Sequence, residues 1–343
     1  MSDHDIMVIG AGQAGLAAAH MLHAADADFT IVDGADKAGG SWHRYYDSLT
    51  LFSPARYSEL PGAPFPGNPD HYPTRDEVIA YLDTYAARFA HQIETGRQVG
   101  KVEVDGARYR ISFHCGETRH ARALVVATGS FGAPNLPSIS GAAHFAGEIL
   151  HSSDYREPSR FAGQSVIVVG GGNSAIQIAA ELAEYSAVTL VSRDRLRFIP
   201  QRILRRDIHW WFDKLRLNGT GLFSDHGVPI IDDGRYRAAI RAHRPAVKPM
   251  FERFGQRDVQ WADGSSINAD AVIFATGYRP SLDFLSGTPA VDRHGHPVHR
   301  RGISKTLHRL GFVGLSGQNG FASATLRGVG RDAAYVIQRL LRR

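Results

Sequence analysis

Cysteine is nearly absent from this chain of 343 residues: Cys115 stands alone. A single thiol cannot close an internal disulfide or build a metal cluster on several thiolates, and its isolation suits a reducing cytoplasm. Long apolar runs are missing too. None approaches the roughly 18 residues that suggest a membrane span. The opening "MSDHDIMVIG" has no basic segment followed by an apolar one and a cleavage site, so no secretory signal is expected. Hydrophobic residues at 43% against charged residues at 21% give the balance of a globular protein, and the length accommodates two units. Neither charge sign dominates: 39 basic against 34 acidic residues leave +5. Basic residues gather at 192–198, 201–207 and 235–244, interrupted by acids and without a nucleic-acid-binding signature. They read either as a solvated face or as an attraction for an anionic cofactor, and nucleotide phosphate fits better than nucleic acid.

What is present begins at once. "DIMVI" (5–9) is a short apolar run, "GAGQAG" (10–15) follows, and "LAAAHMLHAA" has helix-forming composition. This is strand, tight turn, helix. Gly10 permits the turn, Gly12 lets a pyrophosphate approach the backbone, and Gly15 lets the helix pack close to the strand. The helix start offers free N–H groups and a positive dipole end to phosphate. "FTIVD" (29–33) is a second strand, and Asp33 at its end stands where a carboxylate can accept hydrogen bonds from a ribose.

The device recurs. "SVIVVG" (165–170) is a strand, "GGGNSA" (170–175) a turn and "IQIAAELAEY" (176–185) a helix. Gly170, Gly172, Asn173 and Ser174 form the loop, and Ala175 stands in place of the third glycine. The next strand, "AVTLVSR" (187–193), lacks the terminal acid and ends in Ser192 and Arg193. A carboxylate there would repel a 2′-phosphate, whereas Ser192 and Arg193 would bind it, so this site reads as one for NADP. Each half then closes alike, with an antiparallel three-stranded insert and an apolar strand leading into ATG, at 127–129 with Thr128 and at 275–277 with Thr276.

The expected fold is therefore α/β, a tandem Rossmann-like pair, each member with its three-stranded antiparallel insert. The C-terminal stretch (309–343), with a glycine-rich loop and a final amphipathic helix, returns to the first unit. The expected division is 1–156 and 280–343 for the FAD domain and 157–279 for an inserted NADPH domain, with crossings at 157–163 and 278–283. FAD in the first site and NADPH in the second is the natural pairing, since hydride passes from nicotinamide to flavin. Disulfide reductase chemistry is excluded, because it needs a pair of cysteines beside the flavin.

The segment between the two copies is the specific part. "FAGEILHSSDYR" (145–156) resembles the signature of the flavin-containing monooxygenases, with Phe145, Gly147, His151, Tyr155 and Arg156 at every required position. The resemblance covers nearly the whole chain and points to a compact bacterial type. "GGSWHRYY" (39–46) is similar to the family's GGxW segment, which implies Gly40, Ser41 and Trp42 at the flavin; "FATGYRP" (274–280) is similar to its second ATG motif, with Thr276 at the NADP site. The resemblance implies FAD and NADPH, and a flavin C4a-hydroperoxide formed with O2. A small-molecule substrate would then be oxygenated at nitrogen, at sulfur or at a carbonyl.

Two departures stand out. Phe52 falls where an asparagine near the flavin is usual, with Ser53 the nearest polar substitute; and Gln318 occupies a position where many tandem flavoproteins carry a flavin-contacting aspartate. The last helix would still meet FAD through its start, near Ala324 and Thr325. His151 reads as a structural histidine at a domain junction. No dedicated acid–base pair, no metal site, no nucleic acid and no membrane is expected; a homodimer is left open. A reductase feeding a protein carrier and a flavin redox sensor remain alternatives to the monooxygenase.

Overall fold

The computed structural model describes residues 4–219 and 229–342. Two parallel sheets form its frame. In the first, His4–Ile9 lies between Phe29–Val32 and Thr118–Val126, all parallel, with Ile93–Glu94 and Leu310–Phe312 extending the two sides. In the second, the parallel order is Ala246–Pro249, Ala187–Ser192, Ser165–Val169, Ala271–Phe274 and Glu148–His151. The central strands are apolar throughout because both faces are covered: Val8, Ile31, Val125, Val168 and Ile273 are buried. Each sheet carries a three-stranded antiparallel insert, Val99–Asp105 and Arg108–Phe113 against Thr118–Val126 in the first, and Arg253–Phe254, Asp258–Gln260 and Ser266–Asn268 in the second. The tandem α/β architecture read from the glycine loops is thus the observed one.

The C-terminal return is direct. Leu310–Phe312 pairs with Thr118–Val126, and the last helix, Leu326–Leu341, buries Val329, Ala333, Val336 and Leu340 in the same core as Leu16, Ala18 and Leu22 of the first helix, Gln13–His23. The helix Arg75–Ala87 starts at a capping box, with Thr74 three residues before Glu77 in the sequence. The Glu77 backbone N–H donates to Thr74 Oγ1 (3.3 Å) and the Thr74 N–H to Glu77 Oε2 (2.8 Å). Its Val78, Leu82 and Tyr85, with Phe89 beyond its end, pack on the first sheet's core.

The first crossing differs from the expectation. Ala133–Pro134 pairs antiparallel with Tyr278–Arg279, so the outgoing and returning chains run side by side as a two-stranded connector. Glu148–His151 is already the edge strand of the second sheet, and 157–163 lies between two strands of that sheet. The proline at 158 suggested a linker. The short apolar strand ahead of it, recruited by Ala271–Phe274, decides otherwise.

Local contacts explain the first helix's position. Gly10 has φ +108°, and a Cβ on Gly15 would sit 1.8 Å from the Gly10 carbonyl oxygen. Only hydrogen fits at residue 15 with the helix this close to its strand. Gly15→Ala is expected to cost more than the ~1–3 kcal/mol typical of an overpacked core. A thermal melt reads this as a large drop in midpoint, and an unchanged melt would mean that the helix is free to retreat.

Candidate active site

One cavity of ≈ 1100 Å³ runs along the carboxyl ends of the first sheet's strands and reaches the second unit. It exceeds the roughly 300–1,000 Å³ of sites for drug-sized ligands. Gly10, Gly12, Asp33, Gly40, Ser41, Trp42, Phe52, Ser53, Thr128, Ala324 and Thr325 line it from the first unit, Asn173 and Ser174 from the second. Residues up to 315 positions apart in the chain thus meet at one opening, as expected where strand ends of an open α/β sheet converge.

The walls are held in place by specific bonds. Asp33 accepts the Ala11 N–H through Oδ2 (2.6 Å) and the Ala35 N–H through Oδ1 (2.8 Å), which fixes its carboxylate while leaving lone pairs for a ribose. Gln13 Nε2 donates to the Ala324 carbonyl (2.8 Å), and Trp42 Nε1 donates to Gln13 Oε1 (3.1 Å). That chain ties the first helix, the GGSW segment and the start of the last helix into one surface.

The cavity suits FAD on two observations. Thr128 Oγ1 is buried on its wall with no hydrogen-bond partner, a polar group that needs a ligand. Gly12 has an ordinary backbone (φ −76°, ψ −173°), and a Cβ there would meet only Gly40, at 3.4 Å. Nothing in the protein forbids a side chain at residue 12, so the space belongs to what binds there.

The second loop follows the same construction. Gly170 is required, because a Cβ there would lie 2.5 Å from the Ala275 carbonyl, and Ala175 is buried against it. Gly172 faces open space. Asn173 Oδ1 accepts the Ile231 N–H (3.0 Å). Ser192 is buried beside this loop, and its hydroxyl donates to the Asp194 carbonyl (2.7 Å); Arg193 is exposed at the strand's end. Thr276 does not face the cavity, and its hydroxyl donates to the Asn135 carbonyl (2.5 Å), joining the two crossing chains.

Gln318 is also turned away from the cavity. Its Oε1 accepts the Leu315 N–H (3.3 Å), and its side chain packs against Gly302, so it braces the glycine-rich loop from behind. The sequence placed it at the flavin by loop position alone. The direction of a side chain in an irregular loop has no periodic signal.

The segment 145–156 contacts both units. Phe145 packs on Phe254 at 5.0 Å, and Gly147 is pressed between the Phe145 ring and the Asp270 carbonyl. His151 is buried; it accepts the Ser153 N–H at Nδ1 (3.1 Å) and donates from Nε2 to the Gly277 carbonyl (2.9 Å). Burial lowers its pKa, which favours this neutral form. Tyr155 donates to Glu181 Oε2 (2.8 Å) in the second unit, while Arg156 bonds the Arg44 carbonyl in the first. Tyr46 of the first unit donates to Gln177 Oε1 (2.6 Å) of the second, a contact with no motif to announce it.

The stretch 198–217 is rich in aromatic residues. Phe212 is buried against Phe321 (5.2 Å), with Phe52 and Ile208 in the same cluster; Trp210 and Trp211 form an edge-on pair (4.8 Å) off the cavity wall. The unforeseen groups are Asp207, His209 and Arg327. Asp207 accepts from His209 Nδ1 (2.7 Å), the His209 N–H (2.8 Å) and the Tyr72 hydroxyl (2.6 Å). Burial acts the other way, yet the bonds from His209 and Tyr72 hold Asp207 below the usual carboxylate range. Burial lowers His209. Arg327, in the first turn of the last helix, lines the cavity.

Two dinucleotide folds sharing one cavity define a two-domain flavoprotein oxidoreductase. The comparisons agree: the chain belongs to the pyridine nucleotide-disulphide oxidoreductase family, whose profile matches residues 7–312. It is similar to the uncharacterized oxidoreductase CzcO of Bacillus subtilis, 35% identical over 98% of this chain and 99% of the relative. It is similar also to the indole-3-pyruvate monooxygenase YUCCA4 of Oryza sativa subsp. japonica, 30% identical over 98% of this chain and 87% of the relative. Among solved structures, a flavin-containing monooxygenase from Stenotrophomonas maltophilia superposes with a TM-score of 0.88 at 34% identity, covering 100% of this chain and 99% of that one. The protein is an FAD-dependent monooxygenase, with FAD and NADPH as its cofactors. The disulphide in the family's description does not extend to this chain's chemistry, since Cys115 is exposed and outside the cavity. Among the described residues no helix is long and apolar enough to cross a membrane, and no cluster of ligands could hold a metal.

The backbone at Gly12 gives a sharp test. Gly12→Ala should fold with a melt close to that of wild-type apoprotein, yet purify with little FAD, because its methyl group fills ligand space rather than protein space. The ratio of flavin to protein absorbance measures this, and full flavin content would remove Gly12 from the site.

Proposed function

We propose that this monooxygenase uses NADPH to insert one oxygen atom of O2 into a small molecule, at a soft nitrogen or sulfur or beside a carbonyl. The observation that carries the reading is the single cavity joining the first glycine loop to the start of the second unit's helix, with the only cysteine outside it. The arrangement gives two dinucleotides room to meet and offers no thiol pair to receive electrons. When bound, FAD supplies the redox chemistry, accepting a hydride from NADPH and then activating oxygen.

The chain's own residues bind, orient and exclude water. The Gly10–Gly15 loop and Asp33 hold the FAD pyrophosphate and ribose, Thr128 gives its free hydroxyl, and Gly40, Ser41, Trp42, Ala324 and Thr325 bound the ring end. The loop with Gly170, Gly172, Asn173, Ser174 and Ala175 receives NADPH, with Ser192 and Arg193 at its 2′-phosphate. Phe52 and Ser53 close the substrate end. Residues 145–156 hold the units in register, which would position the nicotinamide against the flavin and keep water out. With 18O2, NADPH and a simple thioether such as thioanisole, the product should carry one labelled oxygen. Fast anaerobic reduction of a protein carrier, with no labelled product from any thioether, amine or ketone, would instead favour a reductase.

Arg193 is expected to select NADPH over NADH. Losing a charge-assisted contact should weaken NADPH use by roughly 10- to 150-fold in Arg193→Ala and leave NADH nearly unchanged. Equal loss with both cofactors in steady-state kinetics would remove Arg193 from the 2′-phosphate site.

His151→Ala should separate binding from chemistry. The variant should keep FAD, while anaerobic flavin reduction slows, on the order of 100-fold for a misplacement of ~1 Å, and more NADPH is diverted to hydrogen peroxide. Stopped-flow reduction and a peroxide assay on one preparation check this. Unchanged values in both would show that the segment has no positioning role.

A further inference from the structure

Arg327 presents an unusual state for a buried cation. Its Nε and Nη1 are shielded from solvent without a hydrogen-bond partner, and the guanidinium forms no ion pair with any described residue. It sits over two aromatic rings, 5.0 Å from the Phe321 centroid and 5.8 Å from that of Phe212. The same side chain lines the main cavity, as does Phe52.

The nearby carboxylate does not answer this charge. Asp207 acts on Arg327 only at a distance, because its oxygens are engaged by His209 and Tyr72. Arg331 adds positive charge on the same helix, and Asp213 acts against it. Burial draws the Arg327 guanidinium down to about 10, so it is still charged at neutral pH. A buried cation without a partner is costly, and its retention on a cavity wall points to an anion that arrives with a ligand. Neither cofactor pyrophosphate fills that role, since the two glycine loops take those groups. The backbone adds to the attraction: Arg327 lies in the first turn of a helix of 16 residues, whose free N–H groups and dipole favour negative charge.

We infer that Arg327 is a specificity-determining residue that takes the carboxylate of the substrate, which is a small organic acid with an apolar body lying against Phe52. Planar guanidinium and planar carboxylate match in geometry, and the burial of the guanidinium strengthens the pairing. Behind Phe52, the His209 ring stacks at 6.2 Å and is itself held by Asp207, so the apolar wall is braced by a neutral, oriented histidine. The inference rests on the monooxygenase reading of the same cavity and names the class of molecule it admits.

The test uses the FAD-loaded enzyme and two probes of nearly equal shape, phenylacetate and phenylacetamide. Binding is followed by calorimetry and by the shift of the flavin absorbance, neither of which requires turnover. Wild type should bind the acid roughly 10- to 150-fold more tightly than the amide, the range of a charge-assisted contact. Arg327→Met should abolish that preference, and Arg327→Lys should restore part of it. Equal binding of both probes by wild type, a measurement that needs no variant, would overturn the inference. So would a preference retained in Arg327→Met, or a loss of FAD or NADPH affinity in that variant, which would make Arg327 a cofactor ligand. Displacement of phenylacetate by inorganic phosphate at similar concentration would reduce the site to a general anion hole and also overturn it. Oxygenation of neutral thioanisole by wild type is measured separately, so a failed monooxygenase reading is distinguishable from a failed carboxylate site.

Discussion

The close approach of the first helix to its strand governs the rest of the molecule. With the Gly15 Cα hydrogen against the Gly10 carbonyl, the helix start is pressed toward the ends of the parallel strands. Its N–H groups then face the cavity instead of protein, and the positive end of its dipole is left for phosphate. Around this point the chain gathers the other walls. The GGSW segment arrives through Trp42 and Gln13, and the last helix through the bond from Gln13 to Ala324. A helix standing further off would break that chain of contacts and close the space that Gly12 leaves open.

The second constraint is the alignment of two such units. The paired connector, Ala133–Pro134 with Tyr278–Arg279, makes both crossings move together. His151 bonds the Gly277 carbonyl beside it, and Tyr155 and Tyr46 bond Glu181 and Gln177 on the second unit's first helix. These contacts are buried and polar, each with a satisfied partner, which favours one relative placement over a continuum of looser ones. Chemistry between two cofactors depends on such placement more than on any single acid or base. This accounts for a site walled largely by glycines, aromatics and hydroxyls, with charged side chains such as Asp33 and Arg327 set among them.

The chain also shows how one fold supports different electron acceptors. Its family is named for disulphide chemistry, which needs paired thiols beside the flavin. Here the lone thiol lies on an exposed hairpin of the first insert. The scaffold retains the means to hold FAD and NADPH, and the stretch 198–217 packs an aromatic cluster, Phe212 with Phe321, behind the cavity residue Phe52. Function thus changes through the groups at the cavity's far end while the glycine loops stay the same.

The sequence by itself determined the two glycine loops, the inserts and the helix cap at Thr74, because each rests on neighbours within a few residues or on strict periodicity, and the C-terminal return followed from the layout of tandem dinucleotide folds. It also exposed the signature around His151, though not that Glu148–His151 is a strand of the second sheet; four half-apolar residues become a strand only when an edge such as Ala271–Phe274 receives them. Tertiary structure alone decided which way Gln318 turns, which carboxylate His209 holds, and that Arg327 lies among Phe212, Phe321 and the cavity with nothing to pair it. The first two outcomes turn on side-chain directions that carry no periodic signal, and the third brings Arg327 onto Phe212 from more than 100 residues away, an encounter no local pattern encodes.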